Sequence, residues 1–212
     1  MLKGFKRILI LAPHTDDGEL GVGGTIAKLI ENNAEVYYMA FSTADKSVPK
    51  EFPSNILKVE VRKATQILGI KPENLVLLNY EVRKLNYVRQ EILEELTKIR
   101  SKINFNLIIM PSLKDIHQDH ITVAEEALRA FKNKTILGYE LIWNNLSFQT
   151  TCFVELDKDH VEKKCLALKE YSSQKHRAYM KAEFIYSLAR IRGVQIGVEY
   201  AEAFEVIRWI IN

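Results

Sequence analysis

Two short stretches of the chain concentrate side chains able to hold a cation or move a proton. The first is Pro13-His14-Thr15-Asp16-Asp17-Gly18-Glu19, and the second is Asp115-Ile116-His117-Gln118-Asp119-His120. Together they hold three of the five histidines of the chain. Imidazole nitrogen and carboxylate oxygen are donors that suit Zn²⁺ or a similar divalent ion, Fe²⁺ included. His14 and Asp17 from the first stretch and His120 from the second make a set of three ligands, which leaves a coordination position open as catalytic sites do. Asp16 is then free for another task. His117 reads as a residue beside the ion or facing a substrate, with Asp115 or Asp119 able to take a ring N–H and fix its tautomer. Acidic pairs also cap helices and bracket turns, so each stretch alone has an ordinary structural reading.

The two stretches belong together only if the chain brings them together, and its hydrophobic pattern gives the means. Arg7 to Ala12, Val36 to Phe41, Leu75 to Asn79 and Leu107 to Met110 read as short buried strands. Between and after them, Thr25 to Glu31, Ile56 to Leu68, Tyr87 to Lys102 and Ile121 to Phe131 carry helical periodicity. This alternation predicts an α/β fold, a Rossmann-like three-layer sandwich with a mostly parallel central sheet. Both stretches then follow strands, at the carboxyl edge where open α/β sheets bind ligands. The position of His120 just before a helix predicts a ring kept neutral by the positive helix terminus, the form that binds metal.

Beyond Lys134, Ile136 to Ile142 and Phe148 to Leu156 read as two strands, with Asn144 and Asn145 as a pair that could reverse the chain. Asp157 to about Tyr171 reads as a helix and Phe204 to Ile211 as a closing strand, forming a C-terminal elaboration. No repeat or flexible linker interrupts the chain, so residues 1–212 are expected to form one domain. Gly21-Val22-Gly23-Gly24 misses the GxGxxG spacing and favours close packing over a phosphate cradle.

Composition removes several classes of function. A hydrophobic share of 47% with 27% charged residues excludes disorder and fibre. Thirty basic against 27 acidic residues leave +3, too weak and too scattered to suggest nucleic-acid binding. Cys152 and Cys165 have neither disulfide-framework nor zinc-finger spacing, and the five-residue apolar run at Ile8 to Ala12 is too short for a signal or spanning segment. A cytoplasmic protein without a membrane anchor is expected. Arg83 and Arg89 are candidates for contact with an anionic substrate, whereas His160 and His176 read as surface residues and Trp143 and Trp209 as core.

PHTDDGELGVGGTIAKL resembles the first motif of the PIG-L/LmbE metal-dependent deacetylases, usually AHPDDE, and DIHQDH resembles their HxDH motif. Tyr171-Ser172-Ser173-Gln174 and ARIRGVQIGVEYAEAFEVIR add to the resemblance, which runs from Arg7 to about Arg208. It implies zinc-assisted hydrolysis of an acetamido group on an amino sugar or related small molecule, with His14, Asp17 and His120 as ligands. Asp16 becomes the general base, and His117 stabilises the oxyanion or protonates the leaving amine. Thr15 stands where proline is usual and Gly18 where glutamate is usual, with Glu19 one place later, so no role for that glutamate carries over. Gly193, Gly197 and Tyr200 fall within the resemblance and suit a loop over the site or a contact in a homo-oligomer. The competing expectations are a sugar- or nucleotide-binding protein without catalysis, and a metallohydrolase acting on another N-acyl or ester bond.

Overall fold

The structure, a computed structural model, describes residues 4–211. Its centre is a seven-stranded sheet: β1 (Arg7–Ala12), β2 (Glu35–Ala40), β3 (Leu75–Leu77), β4 (Leu107–Pro111), β5 (Thr135–Tyr139), β6 (Cys152–Leu156) and β7 (Tyr200–Arg208). The spatial order is β3-β2-β1-β4-β5-β7-β6. The first five strands in that row are parallel, and β7 runs antiparallel between β5 and β6. The helices are α1 (Asp17–Glu31), α2 (Ile56–Leu68), α3 (Arg89–Lys102), α4 (Gln118–Ala130), α5 (Lys158–Lys169) and α6 (Ala182–Gln195).

Alternation along β1 sorts the helices into two layers. Ile8, Ile10 and Ala12 belong to the core shared with α1, α2, α5 and α6, whereas Leu9 and Leu11 belong to the core shared with α3 and α4. Every side chain of β1 after Arg7 is therefore buried, as a parallel strand covered on both faces requires. Ile8, Leu9 and Ile10 pair with Leu107, Ile108 and Ile109, so the loops after β1 and β4 leave the sheet side by side. Strand order also reverses between these two strands, which opens the crevice that holds the site.

Helix α1 starts at Asp17, eight residues before the expected Thr25, and it carries four glycines. Glycine costs about 1 kcal/mol per interior position relative to alanine, so packing must override propensity. A methyl group at Gly18 would collide with the Tyr38 ring and one at Gly21 with the Tyr139 ring. The helix kinks at Val22 (φ −141°), and the buried Glu202 carboxylate accepts from the freed N–H groups of Gly24 and Thr25 at 3.0 and 2.7 Å. Lys164 neutralises Glu202 at 2.7 Å. That second helix start is occupied by the protein's own anion, so the glycine run packs and caps.

The C-terminal third departs furthest from expectation. Asn144 and Asn145 do not join a hairpin: β7 is inserted between β5 and β6. Strand β7 begins at Tyr200, four residues before the expected Phe204, and α6 was not anticipated. Only Ile185, Ala189 and Gly193 of α6 are buried, a stripe too narrow to stand out as periodicity. His160 is buried rather than exposed: its Nδ1 accepts from the Asp157 N–H and its Nε2 lies 2.6 Å from Glu31, tying α5 to α1. Trp209 is half exposed against Phe5 instead of core. Both cysteines are free thiols. Among the described residues no helix is long and apolar enough to cross a membrane.

Candidate metal centre and its cleft

The β1–α1 loop and the β4–α4 loop bring His14, Asp17 and His120 to one point. Nδ1 of His14, Oδ2 of Asp17 and Nε2 of His120 form a triangle with all three sides 3.2 Å. Donors bound at the usual 2.0–2.2 Å around a tetrahedral ion lie about 3.3–3.5 Å apart, so the triangle is sized for one divalent cation. The outer nitrogen of each ring is also held. Nε2 of His14 lies 3.0 Å from Asp119 Oδ2, and Nδ1 of His120 lies 2.7 Å from Asp115 Oδ2. Each carboxylate draws the ring proton to its side and turns the other nitrogen's lone pair toward the centre. Sequence reasoning assigned such service to Asp115 or Asp119 for His117; the structure gives it to His120 and His14.

His117 stands apart from this set. A nitrogen of its ring lies within 4.8 Å of nitrogens of His14 and His120, so the three imidazoles alone are a second conceivable donor group. Its Nδ1, however, accepts a hydrogen bond from the Asp119 N–H at 3.1 Å as His117 caps α4. The neutral ring must then carry its proton on Nε2, which makes that nitrogen a donor and not a ligand. We therefore favour the triangle containing Asp17.

The charges support the same division. Burial lowers the basicity of His14, but hydrogen bonds to Asp119 and Asp17 outweigh it and lift the pKa to about 9. Burial likewise opposes protonation of His120, and the Asp17 charge with the Asp115 hydrogen bond raises it to about 10. The expected effect of the helix terminus on His120 is overruled by these two carboxylates. Asp17 is held well below the usual carboxylate range against its own burial, chiefly by His120. The metal-free centre thus collects positive charge where a dication fits. His117 is depressed to about 4 by burial and by the charges of His120 and His14, so it is neutral. Asp16 is raised to about 6 by burial and the neighbouring Asp17 charge.

Beneath the loop, Glu19 is fully buried and receives the hydroxyl groups of Tyr38 and Tyr171. The same hydroxyls approach the Thr15 carbonyl at 2.8 and 2.7 Å. Burial pushes Glu19 up to about 8. The displaced glutamate is therefore a prop under the Asp16-Asp17 loop.

The triangle opens into a cleft of about 520 Å³. Asp16, His117 and Arg83 line it, as do Trp143, Gln174, Arg177 and Tyr179, which had not been placed at the site from sequence. Trp143 is half-buried against the core and also forms the cleft wall, where its ring stacks on Tyr179 at 3.9 Å. The Tyr171-Ser172-Ser173-Gln174 motif was the signal for this wall. Arg89 lies elsewhere, paired with Glu125 and Glu126 on α4 at 2.9 and 2.6 Å.

The chain and its fold are similar to those of known proteins. Residues 9–131 match the PIG-L family model, described as GlcNAc-PI de-N-acetylase, and the chain belongs to that family. It is 27% identical over 174 residues to a protein of Escherichia coli K12 described as uncharacterized deacetylase YaiS, covering 79% of this chain and 91% of that one. It is 26% identical over 191 residues to a probable N-acetyl-alpha-D-glucosaminyl L-malate deacetylase 2 of Bacillus anthracis, covering 82% and 83% of the two chains. The crystallised N,N'-diacetylchitobiose deacetylase of Pyrococcus horikoshii superposes with a TM-score of 0.82 at 26% identity, over 97% of this chain and 85% of that one.

Proposed function

We propose that this chain is a single-domain, zinc-dependent N-deacetylase that hydrolyses the acetamido group of an amino sugar or a related glycoconjugate. The observation that carries the reading is the 3.2 Å triangle of His14, Asp17 and His120, with a carboxylate behind each ring. Family membership and the relatives described as deacetylases support the bond that is cut. Zinc suits two nitrogens and one oxygen with an open position, and Fe²⁺ is the other ion the donors accept. We take the chain's location to be cytoplasmic, the setting that its two unpaired cysteines suit.

A bound dication would supply Lewis acidity, lowering the pKa of a coordinated water to roughly 7 and polarising the acetamido carbonyl. Asp16, adjacent to the ligand Asp17 and lining the cleft, accepts the proton of the attacking water. Burial and the adjacent Asp17 charge raise its basicity, to a pKa of about 6 in the absence of an ion, which is the direction a general base requires. His117 donates its Nε2–H to the oxygen on which negative charge develops. The ring does this as a neutral donor, because burial and the positive centre oppose its protonation. The proton held by Asp16 then passes to the departing amine, and the products are acetate and a free amine. A binder without catalysis has no use for a carboxylate poised beside a cation, so the geometry favours hydrolysis.

Purified protein loaded with Zn²⁺ should release one acetate per amine formed from at least one member of a panel of N-acetylated sugars and nucleotide-sugars. Metal bound at one ion per chain without release from any member, including longer N-acyl and ester analogues, would overturn the reading in favour of binding alone.

A further inference from the structure

The chain after α5 is fastened from outside the cleft. Glu60, on α2, is buried at 2% exposure and takes three hydrogen bonds from one turn. One carboxylate oxygen accepts from the Ser172 hydroxyl at 2.7 Å and the Ser173 N–H at 3.0 Å, and the other accepts from the Ser173 hydroxyl at 2.6 Å. Both oxygens of one buried carboxyl group are engaged by consecutive residues, so this grip fixes the turn.

From the grip the contacts run straight into the cleft. Gln174 Nε2 donates to the Ser173 hydroxyl at 3.2 Å, and Gln174 Oε1 accepts from Arg177 Nε at 2.7 Å. Arg177 Nη1 donates to the Tyr179 hydroxyl at 2.6 Å, and the Tyr179 ring lies 8° from parallel to Trp143. Gln174, Arg177, Tyr179 and Trp143 all line the cleft; Glu60 does not. No carboxylate pairs with Arg177 among the described residues, so its remaining N–H groups are left for a ligand. Gln174 and Tyr179 are what hold a long, flexible side chain in one pose.

We propose that Glu60 is a positioning residue for substrate binding, acting through the Ser172–Gln174 turn to set Arg177 and Tyr179 in the cleft wall. This deepens the deacetylase reading, and its kinetic test rests on that reading. An ordered wall lowers the cost of ordering on binding. None of these residues is a corner of the donor triangle, which stands on the two strand-end loops, so Glu60 acts chiefly on KM and leaves metal content alone.

Trp143 gives a readout that needs no turnover. In a Trp209→Phe background it is the single indole, since the chain has two tryptophans. Glu60→Ala should release Tyr179 and increase iodide quenching of Trp143. In the zinc-loaded enzyme Glu60→Ala should raise KM about tenfold with kcat held within about twofold. In an Arg177→Ala background the same substitution should add less than about twofold, because both changes disable one device. If Glu60→Ala does not fold, Ser173→Ala and Glu60→Gln loosen the same grip and are read by the same two measurements. Unchanged quenching of Trp143, or effects of Glu60 and Arg177 that multiply independently, would overturn the proposal. Failure of every N-acetyl substrate would sink the deacetylase reading by itself, and quenching alone would then decide the role of Glu60.

Discussion

The carboxylate of Asp115 lies 2.7 Å from Nδ1 of His120, and this contact leaves Nε2 of the ring facing His14 and Asp17. Its other oxygen accepts the His117 N–H at 2.8 Å, so the same side chain also shapes the start of α4. Asp115→Asn retains the size of the side chain but loses the charge. It should weaken zinc binding about 10–100-fold, the usual effect of removing a carboxylate behind a ligating histidine. Competition against a chromogenic chelator measures this, and an affinity equal to that of the parent protein would remove Asp115 from the site.

Asp16→Asn separates holding the ion from using it. The substitution should leave zinc content at one per chain while lowering kcat by about 10²–10⁴-fold, the range supplied by a positioned base. His120→Ala should instead lose the metal, because it removes a corner of the triangle. Zinc analysis beside an acetate-release assay distinguishes the two, and an active Asp16→Asn enzyme would refute the base assignment.

Protons should leave as the metal enters. His14 and His120 have pKa values raised to about 9 and about 10, so at pH 7 both rings are protonated in the metal-free protein. Zinc binding must displace these protons, giving a release of about two per ion and an affinity that rises with pH. Calorimetry in buffers of different ionisation enthalpy counts them. The folded, metal-free protein also binds these protons more tightly than the unfolded chain, whose histidines titrate near 6.5. The resulting stability is full below pH 6.5 and is lost as pH rises through about 9 to 10, so the metal-free melting temperature should fall across that window. A melting temperature that instead climbs from pH 7 to 10 would contradict the assigned charges.

Glu202→Ala should be among the most damaging substitutions away from the cleft. It strands the buried Lys164 ammonium and leaves the Gly24 and Thr25 N–H groups without their acceptor. Breaking a buried pair from one side costs about 3–5 kcal/mol. Denaturant unfolding reads this directly, and a loss near zero would show that the kink in α1 is capped in some other way.

The parallel half of the sheet and the meeting of His14, Asp17 and His120 were legible in sequence because they rest on local signals. Buried strands such as RILILA declare themselves by unbroken apolar runs, and His14, Asp17 and His120 by chemistry at strand ends. What was hidden depends on distant partners. Close packing at the glycines of α1 was legible, but nothing near them in sequence names the Tyr38 and Tyr139 rings that exclude side chains there or shows that the helix already starts at Asp17. The basicity of His120 was misjudged because Asp17, 103 positions earlier, outweighs the adjacent helix terminus. Trp143 and Arg177 line the cleft beside Tyr179, a meeting of distant segments that no local pattern announces, and Arg83 and Arg89, six positions apart, separated because Arg89 found Glu125 and Glu126.

Because β1 and β4 supply the two loops that meet at the centre, the site measures the alignment of those strands. Sliding one past its neighbour by a single residue displaces its loop by about 3.3 Å and turns its side chains to the opposite face. That step matches the 3.2 Å spacing of the donors, so a misaligned pair would leave His120 a full ligand position away from His14 and Asp17. A bound ion would therefore act as a gauge: it grips the correctly registered sheet and is indifferent to any other. During synthesis the gauge can close only after His120 has left the ribosome, when both central strands already exist.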